Sequence, residues 1–150
     1  MAGGLAKSPE IYFGASRNTY LGNGQSGAIG VQDFKEPGGI KTNILYLAGG
    51  WDIQKEYAES QAKGAKIIFR YQAQKVFMVA RADQEVNLTI LIDGEPISAV
   101  FAGSDLVDGQ AKVKTDRLYR LVEDLAGHNE HTLEIISAAP GLQIFTFTFG

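Results

Sequence analysis

Few residues of this chain combine the types and spacing that reaction chemistry needs. His128, Glu130 and His131 lie together in GHNEHT, and two imidazoles with a carboxylate make a donor set that metals use. The spacing of the histidines matches no strong zinc or iron motif, and the segment reads as a turn leading into a strand, so no metal is expected. Asp105, Asp108 and Asp116 lie near one another in SDLVDGQ and the following TD, but the ligand spacing of a calcium loop is absent. GNGQSG, Gly22–Gly27, lacks the lysine and the strand–helix context of a phosphate cradle. No nucleophile elbow or nucleotide fingerprint occurs. Carboxylates for glycoside hydrolysis need only meet in space, yet a small chain with no insertion to build a deep cleft argues against them. The chain has no cysteine, which excludes thiol–disulfide chemistry and thiolate-bound metals. The expectation is a protein that is not an enzyme and holds no cofactor or metal.

The rest of the composition bounds the partners. With 150 residues, 45% of them apolar, the chain is long enough for one domain with a sizeable core. A formal charge of −3 supplies no electrostatic reason to bind nucleic acid or an anionic membrane. No apolar run approaches the roughly 20 residues that span a bilayer, so no direct membrane insertion is expected. The start, MAGGLAK, has no apolar signal-peptide core. Residues 1–7 read as a linker and residues 8–150 as a single domain.

Chemistry of this kind must be positioned by strands. In Ala65–Pro96, Ile67, Phe69 and Tyr71 alternate with Lys66, Ile68 and Arg70, and Val86, Leu88, Ile90 and Ile92 alternate with Asn87, Thr89 and Leu91. Period two with β-branched and aromatic residues marks strands with one face on a core. Between them, Lys75–Arg81 is apolar on both faces, with Val76 and Met78 on one and Phe77 and Val79 on the other. It is expected inside a sheet, and the three together are expected to form a meander. Asp93-Gly94 is a strong turn signal. Ser8–Gly14 reads as extended because Pro9 opposes a helix through it. Ala15–Lys41 reads as a surface wrap with a short strand near Val31–Phe34, and Asn43–Leu47 as a strand ending at Gly49-Gly50. Near the end, Thr132–Ala138 turns Leu133, Ile135 and Ser137 inward. Gln143–Phe149 is expected to place Phe145, Phe147 and Phe149 on one face and Ile144, Thr146 and Thr148 on the other.

Two segments are ambiguous. Trp51–Lys63 has a possible N-cap in Asp52 and several helix formers, while a strand reading puts Trp51, Ile53 and Tyr57 on one face. Asp116–Gly127 has Leu118, Leu121, Val122 and Leu125 at helical spacing, while a strand over Arg117–Val122 puts Tyr119 and Leu121 on one face. Strands separated by turn signals along the rest of the chain indicate an all-β sandwich.

Taken in order, PEIYFGASR (Pro9–Arg17), LAGGW (Leu47–Trp51), KEY (Lys55–Tyr57), IIFRYQAQKVFMV (Ile67–Val79), LTILIDGEP (Leu88–Pro96), DRLYRLV (Asp116–Val122), HTLEI (His131–Ile135) and FTFTFG (Phe145–Gly150) resemble the C-terminal domain of DipZ-type proteins. These are bacterial membrane proteins with a thiol–disulfide membrane part of the cytochrome c biogenesis type, followed by an exported thioredoxin-like domain and then this last domain. The resemblance covers nearly the whole chain. It implies a galactose-binding-like jelly roll, akin to a carbohydrate-binding module, and it resolves both ambiguous segments as strands. It also implies an extracytoplasmic location, redox chemistry confined to an upstream thioredoxin-like domain, and as partners that domain and a carbohydrate or glycosylated envelope component. The alternative is a docking or structural domain that packs on the thioredoxin-like domain and has no sugar affinity.

A sugar site needs an aromatic face for the C–H side of a pyranose and planar or charged groups for its hydroxyls. Within the segments that carry the resemblance, the candidates are Tyr12, Arg17, Trp51, Glu56, Tyr57, Arg70, Arg117 and Tyr119. Five of them have a structural alternative. Trp51, the only tryptophan, would serve equally as a core anchor. Glu56 would pair with an arginine across strands, Arg17 would tie down the N-terminal segment, and Arg117 would sit in solvent or in a salt bridge. Tyr12 would pack the N-terminal segment onto the sheet.

Overall fold

The computed structural model describes residues 7–127 and 129–150, so all of the expected linker but Lys7 lies outside the described residues. They form β1 (Ile11–Tyr12), β2 (Gly30–Phe34), β3 (Leu45–Ile53), β4 (Ala58–Ser60), β5 (Lys66–Ala73), β6 (Lys75–Arg81), β7 (Val86–Ile92), β8 (Glu95–Pro96), β9 (Leu106–Val107), β10 (Gln110–Val113), β11 (Arg117–Glu123), β12 (Asn129–Ser137) and β13 (Gln143–Phe149). The fold is an all-β jelly-roll sandwich. No helix among the described residues is long and apolar enough to cross a membrane.

One sheet runs β11-β6-β13-β4-β3-β2, with β1 beside β13, and the other runs β3-β5-β12-β7-β10-β9, with β8 beside β7. The long strand β3 belongs to both. Leu45–Ala48 pair with β5, and Gly49–Ile53 pair with β2 on the opposite sheet. Gly49, at φ 83°, makes this change of direction possible, and a Cβ there would lie 3.3 Å from the Ala65 Cα. The expected strand end at Gly49-Gly50 is therefore corrected: the glycines bend the strand across a corner and do not stop it.

The expected meander is also corrected. β5 and β7 lie in one sheet, on either side of β12, and β6 lies in the other, between β11 and β13. Alternation reports which side chains face inward, not which strands pair, so consecutive strands here face each other across the core. The inward residues meet as read. Phe69 of β5 lies 5.9 Å from Phe147 and 5.5 Å from Phe149 of β13, and Phe13 lies 5.1 Å from Phe147, edge-on. The Phe69 contacts join the two layers with aromatic area that water does not reach, and Phe13 packs on the same cluster from beside β13.

Both ambiguous segments are strands. Trp51 and Ile53 point inward on β3, Ala58–Ser60 forms β4, and Tyr57 sits in the turn between them, closed by the Gln54 N–H to Tyr57 O bond at 2.8 Å. Tyr57 thus does not share the strand face expected for it. β11 buries Tyr119 and Leu121 and leaves Leu125 in solvent, where a helix would have buried it. Packing between sheet neighbours outweighs helix propensity here. Asp93 and Gly94, at φ 52° and 84°, form the tight turn their pairing predicts.

β13 departs from the expected alternation. Its register against β6 shifts between Ile144 and Thr146, so Ile144, Phe147 and Phe149 are buried and Phe145 stands half-exposed on the outer face. A bulge inserts one residue without changing the composition of the strand, so simple alternation assigns Phe145 to the wrong side.

Candidate functional site

The outer face of the β6–β13 sheet gathers three of the sequence candidates. β1 pairs with β13 so that Tyr12 lies opposite Thr146. The next segment turns at Gly14, where the Arg17 N–H reaches the Gly14 carbonyl at 3.1 Å, and is tied to the β3–β4 turn by Ala15 N–H to Gln54 O at 2.9 Å and Ser16 N–H to Lys55 O at 3.1 Å. The contact is so close that a Cβ on Gly14 would lie 2.3 Å from the Glu56 carbonyl carbon. Glycine at this position is what lets Arg17 and Glu56, far apart in sequence, share one wall. The hollow they line, with Tyr12, Ser16, Lys55, Phe145 and Thr146, has a volume of about 70 Å³.

Within it, Tyr12 donates its hydroxyl to Glu10 Oε2 at 2.7 Å, and the Arg17 guanidinium carbon lies 3.8 Å from the centre of the Tyr12 ring. The bond to Glu10 holds the phenol in its neutral form and raises its pKa. Because Arg17 covers that ring face, the patch presents a planar guanidinium there, and its open aromatic surface comes from Phe145. The Phe145 ring packs 5.3 Å from that of Tyr57. Phe145 is the residue that sequence reasoning missed, and only the bulge reveals it.

The remaining candidates lie elsewhere. Trp51 has 0% of its surface exposed and donates its indole N–H to the Ala48 carbonyl at 3.0 Å, so it anchors the core. Tyr119, 2% exposed, donates its hydroxyl to Thr115 O at 2.7 Å and accepts the Lys114 N–H at 3.1 Å. Both are closed off from any surface ligand. Arg117 lies over the Tyr119 ring at 3.9 Å and donates to Asp105 Oδ1 at 2.9 Å, which raises its pKa. Arg70 is on the outer face of the other sheet, where Nε donates to Glu130 at 2.9 Å and Nη1 to the Thr132 hydroxyl at 2.9 Å. The Thr42 hydroxyl and Arg70 hold the Glu130 carboxyl below its ordinary range. Arg70 therefore serves that face and is not part of the Tyr12 hollow.

Of the residues weighed for metals, His128 lies outside the described residues. His131 bonds Asp93 through Nδ1 at 2.6 Å, and Asp105 is engaged by Arg117 and the Arg120 N–H. Among the described residues no three His, Asp or Glu side chains converge as a metal cluster.

The strand register extends this face. Leu118, Val79, Thr146 and Tyr12 stand in one row across β11, β6, β13 and β1, and Arg120, Phe77 and Thr148 stand in the next. At the β11 end lies a second, larger hollow of about 310 Å³, over Phe77, Leu118 and Arg120.

The family model described as thioredoxin-like C-terminal domain matches residues 8–150. The chain is 30% identical over 145 residues to Protein DipZ of Mycobacterium bovis and to Protein DipZ of Mycobacterium tuberculosis, a match that covers 97% of this chain and 19% of each relative. It thus spans about a fifth of the length of these relatives. Among solved structures it resembles a family two carbohydrate esterase from Clostridium thermocellum in complex with cellohexaose, with a TM-score of 0.53 and 17% identity over 67% of this chain and 29% of that one. It also resembles a family two carbohydrate esterase from Cellvibrio japonicus, with a TM-score of 0.56 and 11% identity over 81% of this chain and 33% of that one. At these identities the two esterases show a shared fold.

Proposed function

Since the chain belongs to the family of thioredoxin-like C-terminal domains, we propose that it is a non-catalytic accessory domain of a DipZ-type thiol–disulfide exchange protein. It binds carbohydrate, or a glycan-bearing partner, in an extracytoplasmic setting. The observation that carries this reading is the outer-face hollow where Arg17, Glu56 and Phe145 converge beside Tyr12. The guanidinium there suits vicinal sugar hydroxyls, Glu56 lines the same hollow, and a half-exposed ring suits the C–H face of a pyranose. The domain has no cysteine of its own, so its contribution is tethering. By holding a thioredoxin-like neighbour near glycan-bearing substrates it raises local concentration without new chemistry.

The test is retention of the folded chain on an array of bacterial envelope polysaccharides. Arg17→Ala and Phe145→Ala are expected to abolish a saturable signal. Absence of retention by the unaltered chain, or retention by both variants, refutes the assignment.

A second reading is favoured by the half-exposed Phe77, Val79 and Leu118 on the same face. Such apolar surface suits docking on the adjacent thioredoxin-like domain. Hydrogen exchange that slows on β6 and β11 only when that domain is present would select this reading over glycan binding.

A further inference from the structure

We infer that the glycan site is an extended one, with a second subsite in the Phe77–Arg120 hollow, and that its ligand is an oligosaccharide chain lying across the strands from β1 to β11. The inference rests on the carbohydrate reading above and deepens it. The second hollow is walled by the segment Gly103–Ser104 and by Lys75 and Glu123, whose charged groups lie 3.5 Å apart.

That wall is a built part of the fold. Gly103 N–H donates to Leu121 O at 3.0 Å, Asp105 N–H to Arg120 O at 3.3 Å, and Glu123 N–H to Phe101 O at 2.8 Å. A Cβ on Gly103 would lie 2.3 Å from the Arg120 carbonyl oxygen, so only glycine lets the segment lie this close to β11. The Asp105 carboxylate adds a clamp, accepting the Arg120 N–H at 2.7 Å and Arg117 Nη2 at 2.9 Å.

The chemistry of the path between the hollows is that of a sugar-chain track. Phe77, Leu118 and Val79 offer apolar surface, Thr146 and Thr148 offer hydroxyls, and each end carries an arginine, Arg17 or Arg120. Arg120 makes no ion pair among the described residues, so its guanidinium N–H groups are free to meet a ligand. Tyr12 and Leu118 are separated by three inter-strand steps, roughly 14 Å at the usual strand spacing. A single sugar ring does not bridge that distance, whereas a chain does.

The same wall disfavours a peptide strand as occupant. The open edge of β11 is already used by the covering segment, through the Ala102–Val122 bridge and the bonds above. No row of free backbone groups remains there for strand addition. On the opposite sheet's outer face, ion pairs engage Lys66 with Glu36 and Arg70 with Glu130.

The test is isothermal titration of the chain with two graded series, cellobiose to cellohexaose and peptidoglycan glycan-strand fragments of matching lengths. The unaltered chain is expected to bind the longest members at least about tenfold more tightly than the disaccharides, as linked subsites require. Phe77→Ala and Arg120→Ala are expected to remove that gain, whereas Arg17→Ala weakens every length. Arg120 is exposed, so its variant folds even if the Phe77 variant does not. Length dependence that survives in folded Arg120→Ala and Phe77→Ala overturns the second subsite and leaves the carbohydrate reading intact. Failure of the unaltered chain to bind any member of either series overturns both.

Discussion

Replacing Asp105 by alanine tests the clamp that holds the Gly103–Ser104 segment on β11. The carboxylate accepts a backbone N–H from Arg120 at 2.7 Å and Arg117 Nη2 at 2.9 Å. A hydrogen bond to a charged group contributes about 1.5–3 kcal/mol. The Arg117 side chain is 44% exposed, so the ion pair is screened by solvent and adds at most about 1 kcal/mol. Asp105→Ala is therefore expected to cost about 2 kcal/mol at neutral pH, mostly from the lost charge-assisted bond to the Arg120 N–H. In a chain of this size that lowers Tm by about 4–8 °C. The cost must also depend on pH. Burial pushes the Asp105 carboxyl up, but the Arg117 bond and the Arg120 N–H outweigh it and hold the group below its ordinary value of 3.8. A depressed carboxyl contributes stability that is complete above its unfolded value and is lost as pH falls through its folded value. Asp93 and Glu130 are depressed as well, but both remain in the variant and cancel in the difference. Urea unfolding of the two proteins at about pH 7 and about pH 3 should show the gap narrowing at the lower pH. A gap of the same size at both would show that the charge of Asp105 is not what holds the segment.

Ser60 accepts the Leu142 N–H at 3.0 Å and donates to Ala139 O at 3.2 Å, with both Ser60 and Leu142 fully buried. Ser60→Ala should destabilise by about 1–3 kcal/mol in urea titration, since the Leu142 N–H loses this partner, and a neutral result would refute that account. Trp51 should emit in the blue, resist quenching by acrylamide and keep its spectrum when a glycan binds. A red-shifted, quenchable emission would contradict its burial against Ala48.

Much of the core was legible in the chain. Period-two alternation named Ile67, Phe69, Tyr71, Val86, Leu88, Ile90 and Ile92 as inward, and all are buried. It could do so because a strand's two faces are set by local backbone geometry. The candidate site was legible only in part. Tyr12, Arg17 and Glu56 meet at one hollow, but Arg17 covers the ring that was to have stacked on a sugar. Trp51 and Tyr119 look like binding aromatics in sequence, where nothing distinguishes a ring with a satisfied polar tip in the core from one at a surface. Phe145 was misassigned because a bulge is a matter of register between β13 and β6.

The sequence by itself thus determined most strands outside Trp51–Lys63 and Asp116–Gly127, the inward faces of β5 and β7, and the Asp93-Gly94 turn, all of which follow from dihedral preferences and the hydrophobic pattern within a few residues. Only the tertiary structure decided which strands pair, that β3 crosses between sheets at Gly49, and that Arg17 and Glu56 line one hollow while Phe77 lies opposite Arg120. Those outcomes depend on register and close packing between segments far apart in the chain. Each was chosen by how two faces fit together, and no stretch of sequence carries that information alone.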